Sequence, residues 1–525
     1  MISIIITLIL AGSVFFTCGL FNETENPPKE YFVIITVSLL LIVCLAMRKG
    51  LGKLEKSLQS SSLKTGIAVV CLLTSVHGFL QYLGILPSRI PAFSIVGTFD
   101  NPAGYAAAQA AMFPFVVNLL FDKESGKLLR VFSFAVALVC LVSVVLSESR
   151  AGFLAVCTTT VVVLAYTDKI ASFFKTHKWV WIPIVVLFVA ILILLYFVKK
   201  DSADGRIFIW SRCIDMIRER PLFGYGAHGF RGYYMSAQAD YFRNNPDSPY
   251  VMLADNVGHP FNEYLFLTIK FGVTGLILAL SLLVWILLRL FKSEKKTKLL
   301  GLSFVSSMFV MSQFSYPFRY VAVWILAFIA LIPAFQKSDR RTVHLPILIR
   351  LISIMAILAV LVFSLRSMYY EMKWTEISKR AIVGQADKMM KYYDGMKSVM
   401  KRDPLFLYNY SAELYALGKH EESLELISYY ENMWNDYDVQ IMKGSNYSAL
   451  NDIEMALKSY DQAYNMIPCR FEPLFGKLLV YRAANDTLNV VQTAYEIIEK
   501  PVKVRSDRLS FIVGAANQLL SDYGQ

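Results

Sequence analysis

The chain has 525 residues, 56% of them hydrophobic and 18% charged, with a mean hydropathy of +0.47. That composition excludes an ordinary soluble globular protein and points to apolar segments lying in a bilayer. A formal net charge of +12 in such a chain belongs to loops that face anionic lipid, so it does not argue for a nucleic-acid partner.

A membrane span needs about 20 mainly apolar residues. Eleven stretches qualify, near 2–20, 31–47, 66–85, 103–121, 131–149, 151–167, 179–198, 261–291, 299–315, 320–336 and 346–366. The first has no basic leader and no small-residue cleavage site, so it reads as a span rather than a signal peptide. The eighth is long enough to tilt or to begin with a short outer helix. Basic residues cluster in alternate short loops: Arg48, Lys49, Lys53, Lys56 and Lys64; Lys123, Lys127 and Arg130; Lys169, Lys175 and Lys178; Lys292, Lys295, Lys296 and Lys298; Lys337, Arg340 and Arg341. The other short loops hold little beyond Lys29, Arg89, Arg150 and Arg319. By the positive-inside rule the N-terminus is cytoplasmic, and the polar loop 199–260 and the C-terminal region lie outside. The expected division is a transmembrane domain over 1–370 and an outer domain over 371–525. The seven cysteines show no Cys-x-x-Cys or His-rich spacing and read as small core hydrophobes, with no metal site.

From about Trp374 the composition turns soluble, helical and Tyr-rich. Gly444, Tyr447, Ala456, Tyr460, Ala463 and Pro468 reproduce the spacing of the tetratricopeptide repeat, a helix-turn-helix unit of about 34 residues. A preceding unit starts near Pro404 with Leu417-Gly418 at its turn, and a degenerate one runs from Phe471 to Pro501. Stacked units share a core that none buries alone, and their concave face is a docking surface for a protein. The alternative is a generic helical domain.

Chemistry-bearing residues gather from Asp201 to Tyr264. Ile207, Trp210, Ile214 and Ile217 recur at 3-4-3 spacing, which predicts an amphipathic helix lying on the bilayer surface or on the other spans, with Arg206 at its start and Pro221 at its end. Arg206, Arg212 and Arg218 offer bidentate guanidinium forks suited to phosphate; for a surface arginine the alternative is simple solvation. The glycines of PLFGYGAHGF (221–230) lack the strand and Gly-Lys-Ser of a phosphate cradle and read as a tight turn, with His228 structural. His259 and Asn262 in HPFNEYL, at i and i+3, would share a helix face, where an imidazole can serve as general base or phosphate donor. Arg150, in LSESRAG at a span edge, is either functional or snorkels to headgroups. Asn101, in GTFDNPAGY, either caps the following span or reaches a ligand.

GTFDNPAGY, LSESRAG, GR-x3-W, RERPLFGYGAHGF, HPFNEYL with KFGVTGL, and FSYPF resemble, in the same order over about residues 60–335, the motifs of the O-antigen ligases and their polymerase relatives. The resemblance implies an all-α, polytopic, C-type glycosyltransferase-like helical bundle of about eleven spans, here followed by the α-solenoid of tetratricopeptide repeats. It further implies a metal- and cofactor-independent glycosyltransferase of a bacterial inner membrane, taking a glycan from undecaprenyl pyrophosphate at the outer face. Its acceptor would be lipid A core or a protein; a polymerase instead extends another carrier-linked unit. By the same resemblance Arg150 and Arg206 hold the pyrophosphate and His259 is essential to transfer. The third position of Asn-Pro-Asn is Ala103 here, so any ligand role of that side chain is absent. A non-catalytic transporter or scaffold is the reading from another class. A transporter would carry inverted repeats and ionisable residues near mid-bilayer, and these spans are nearly free of charge.

Overall fold

The computed structural model describes residues 1–47, 50–122, 124–166, 176–180, 182–183, 186, 196–197, 200–335 and 346–523. Among them there is helix and loop but no strand. In chain order the helices are α1 Ile2–Phe15, α2 Asn26–Ala46, α3 Gly50–Leu58, α4 Ser61–Tyr82, α5 Pro102–Phe121, α6 Lys127–Leu146 and α7 Arg150–Ala165. After the polar loop's α8 Lys200–Glu219 and α9 Gly229–Asn244 come α10 Glu263–Lys292, α11 Lys295–Phe314, α12 Val321–Leu331 and α13 Ile347–Arg380. The C-terminal series is α14 Ala386–Met400, α15 Pro404–Ala416, α16 His420–Tyr430, α17 Tyr437–Ala449, α18 Ile453–Met466, α19 Glu472–Ala483, α20 Thr487–Glu499 and α21 Asp507–Asp522.

Helices occupy ten of the eleven expected apolar stretches; most of 179–198 lies outside the described residues, as do Arg48, Lys49, Lys123, Lys169, Lys175, Lys337, Arg340 and Arg341. Among the described residues six helices are long and apolar enough to cross a membrane: α2, α4, α5, α6, α10 and the helix from Ile347 that continues to Met400. Ile2–Phe15, Arg150–Ala165 and Val321–Phe335 are shorter apolar helices.

By contact the chain forms two compact units. One comprises Met1–Leu195, Phe261–Glu263 and Ala279–Thr375; the other comprises Tyr196–Pro260, Tyr264–Leu278 and Glu376–Gln525. The division at residue 370 expected from composition keeps the polar loop with the spans, whereas the contacts group that loop with the C-terminal helices.

The first unit is built around α5, which is buried along nearly its whole length and contacts α4, α6, α7, α11 and α12. Ala106, Ala107, Ala108, Ala110 and Ala111 are fully buried, because small side chains let helices approach closely where no water drives them together. A Cβ on Gly152 of α7 would stand 2.6 Å from that of Ala106, which shows how near the two backbones pass. At its centre Gln109 is fully buried: its amide nitrogen donates to Ser75 at 2.7 Å, and its carbonyl oxygen accepts from the Cys71 thiol at 3.2 Å. Tyr105 and Ser143 complete this polar knot between α4, α5 and α6.

In the second unit α15 and α16, α17 and α18, and α19 and α20 are consecutive packed pairs, with α21 against α20. The three turns within these pairs carry Gly418, Asn451 and Asn485, all at positive φ, which glycine and asparagine adopt most readily. Asp452 and Asp486 follow two of them and cap the next helix, accepting from Met455 N and Asn489 N. Ala456 and Ala463 are fully buried in α18. In the loop region α8 buries Phe208, Ile209, Cys213 and Met216, while Ile207 and Ile214 of the expected stripe are exposed, so the face packed within this unit is a different one and the stripe fits the bilayer-surface alternative. Phe208 decides this: its ring lies 5.0–5.2 Å from those of Tyr250, Tyr241 and Phe242. Full burial of such a side chain contributes about 1.5–3 kcal/mol.

Candidate functional site

In the first unit four motifs that lie far apart in sequence meet at one end of the bundle. Asn101 of GTFDNPAGY is the N-cap of α5, its oxygen accepting from Gly104 N at 3.0 Å, and Pro102 occupies the first turn where its missing N–H costs nothing. The Asn101 amide nitrogen donates to the Tyr316 hydroxyl of FSYPF at 2.9 Å, and Tyr320 donates to Asp100 at 3.0 Å. Asn262 and Glu263 of HPFNEYL join them: the buried Asn262 amide donates to the Gln313 carbonyl at 3.1 Å, and Glu263 accepts from Phe318 N at 3.2 Å. Arg319 bridges Asp100 and Glu23 at 3.3 and 3.1 Å. LSESRAG enters through Gly152 against α5, and places Arg150 in the first turn of α7 behind a Ser149 cap. A cation there opposes the helix dipole unless an anion balances both.

Asn101 is therefore a capping and tethering residue. Sequence reasoning passed over Tyr316, Tyr320, Asp100 and Glu263, although three of them stand inside the motifs.

In the second unit the remaining motifs pair with one another. Tyr225 N donates to Ile269 O at 2.8 Å, Gly226 N to Lys270 O at 2.9 Å, and Val273 N to Pro221 O at 2.8 Å, which lays PLFGYGAHGF along KFGVTGL. The close approach explains two glycines. Gly224 and Gly272 have φ of +65° and +68°, and a Cβ on either would stand 2.3 or 2.0 Å from a carbonyl oxygen. Gly272 also breaks α10, so a short helix from Glu263 precedes the longer one. His228 caps the start of α9 through its backbone, accepting from Gly232 N. Burial, with Lys270 and Arg231 nearby, holds its imidazole below the ordinary value, consistent with a structural role.

Trp210 of GR-x3-W donates its indole N–H to Pro260 O at 2.9 Å, tying that motif to HPFNEYL. Arg206, half-buried, lies inside α8 rather than at its start, since Lys200–Gly205 are already helical. His259 is half-buried with its ring 4.3 Å from that of Phe266. It does not share a helix face with Asn262, since α10 begins only at Glu263 and Phe261 has a φ of +55°. Pro260 is the cause: a residue before proline is driven out of the helical region. Arg212 and Arg218 both pair with Asp215, at 3.0 and 3.2 Å, and the Arg212 guanidinium lies 4.3 Å over the Tyr241 ring. Among the described residues no group of His, Cys, Asp and Glu has the arrangement of a metal site.

These features define an all-helical membrane protein whose dispersed polar motifs pair with one another inside two compact units. Residues 135–280 match the model of a family described as O-antigen ligase, a stretch that takes in Arg150, Arg206, His259 and Asn262 but not GTFDNPAGY or FSYPF. The match supports the O-antigen ligase family and, with it, an enzyme of glycan transfer in general. No curated protein matches the chain.

Proposed function

We propose that this protein transfers a glycan from undecaprenyl pyrophosphate to an acceptor, lipid A core or a protein, at the outer face of a bacterial inner membrane. The observation that carries the reading is the pairing of the motifs. Asn101 reaches Tyr316 across 215 residues of sequence, and Trp210 reaches Pro260 across 50. The first contact joins two motifs of one unit and the second two motifs of the other, so within each unit the motifs act together rather than as separate turns.

The chemistry needs a base near the attacking oxygen and positive charge near the leaving group. The acceptor hydroxyl attacks the anomeric carbon, its proton passes to His259, and the bond to pyrophosphate breaks to release undecaprenyl pyrophosphate. Arg206 and Arg150 are the arginines assigned to the departing charge, where fixed cations in a poorly hydrated environment act strongly. Asn262 orients the chain beside His259, and Asn101 anchors the first motif. Arg212 and Arg218, already paired with Asp215, serve mainly the loop's own structure. The helix pairs of the C-terminal unit are read as tetratricopeptide repeats.

The test is to incubate the purified protein with a glycan-loaded undecaprenyl pyrophosphate and three acceptors: lipid A core, a Ser/Thr-containing protein, and a second loaded carrier. Modification of lipid A core or protein supports the ligase reading. Growth on the carrier replaces it with a polymerase, and no transfer to any acceptor by the folded protein overturns it.

A further inference from the structure

The segment from Ala254 to Pro260, which carries His259, has no helix of its own. Its backbone groups are held by other parts of the second unit. The carbonyl of Ala254, a residue 1% exposed, accepts from the Lys503 ammonium at 3.2 Å. The next carbonyl, of Asp255, accepts from the side-chain amide of Gln238 at 3.2 Å, and the same amide donates to the Met466 carbonyl at the end of α18 at 2.6 Å. Gln238 is 1% exposed, and its amide oxygen accepts from the Tyr234 hydroxyl at 3.0 Å, so both ends of the amide are held inside the unit. Around this rivet Asn256 donates to Asp436 at 3.0 Å, and Arg470 pairs with Asp255 at 3.2 Å. Trp210 holds the far end through Pro260.

We infer that Gln238 is a positioning residue: its buried amide clamps the His259 segment onto the C-terminal helices, which thereby set the geometry of transfer as well as any docking. The inference rests on the transfer reading above for its effect on catalysis, but the clamp itself is structural. Removing a buried amide leaves two carbonyls without their donor, which is costly in a site closed to water. The Asp255–Arg470 pair is exposed and contributes less.

The experiment uses the full chain in lipid nanodiscs with Gln238→Met, and the double variant Asn256→Ala/Arg470→Ala as the one that spares the buried contacts of α9. Hydrogen exchange of residues 251–262 reads the clamp, and kcat and donor KM of glycan transfer read its consequence. Gln238→Met is expected to lose at least tenfold in protection over 254–260 and at least tenfold in kcat with donor KM unchanged, the double variant showing the same changes to a smaller degree. Unchanged protection in both variants overturns the clamp, and lost protection with wild-type kcat overturns the positioning role. Lost protection in a protein whose wild type transfers to no acceptor supports the clamp and overturns only the transfer reading.

Discussion

Pro260 governs how His259 is presented, because it keeps the imidazole outside the first turn of α10. If that imidazole is the base, His259→Ala should lower transfer by at least about 100-fold, the usual contribution of a positioned proton acceptor. Arg206→Ala should fall comparably, while both variants insert and unfold like the wild type; kinetics on purified protein check this. Asp438 offers a test at the same scale. Burial, then the neighbouring Asp436, raises its carboxyl above the ordinary range. The fold therefore favours the protonated form, and its charged form at neutral pH costs stability. Asp438→Asn should raise the thermal midpoint at pH 7. The gain should shrink as pH falls through the raised value and vanish below the ordinary carboxylate range near ~3.9. The arginines show why residue roles were only partly legible. Asp215 sits three residues from both Arg212 and Arg218, and that spacing, visible in the sequence, already provides their counter-charge.

At the scale of elements, the helices were readable wherever a local rule acts alone. Apolar runs marked the long helices of the first unit, and Gly418 marked the turn within the first C-terminal pair. α8 was half legible: its stripe marked a helix, but it is apolar on more than one face, and only Tyr241, Phe242 and Tyr250, distant in sequence, determine which face is packed. The break in α10 was half legible: the length of the eighth stretch allowed a short outer helix, but Gly272 alone does not reveal that Leu222 O lies where a side chain would stand. Gly272→Ala meets both that oxygen and a φ of +68°, a strain of about 1–3 kcal/mol before any clash. Its thermal midpoint should drop clearly, and exchange protection should be lost over 221–226, whose amides or carbonyls pair with this turn.

For the whole molecule, composition separated lipid-like from soluble sequence but could not show which parts pack together. A chain ending at residue 375 would read from composition as a spanning domain freed of an appendage. Grouping of the loop with the C-terminal helices leads elsewhere: that truncation should render residues 229–260 protease-sensitive and abolish transfer to every acceptor rather than relax acceptor choice. Limited proteolysis with mass spectrometry distinguishes the two. Within the other unit, the buried amide of Gln109 has a consequence for helix register. Hydrocarbon offers no substitute partners, so sliding α5 by one turn against α4 or α6 would strand a primary amide in oil. Apolar helices alone would tolerate many such offsets with little difference in energy. One glutamine thus acts as an alignment pin for three successive segments, fixing their register where apolar packing alone would leave it open.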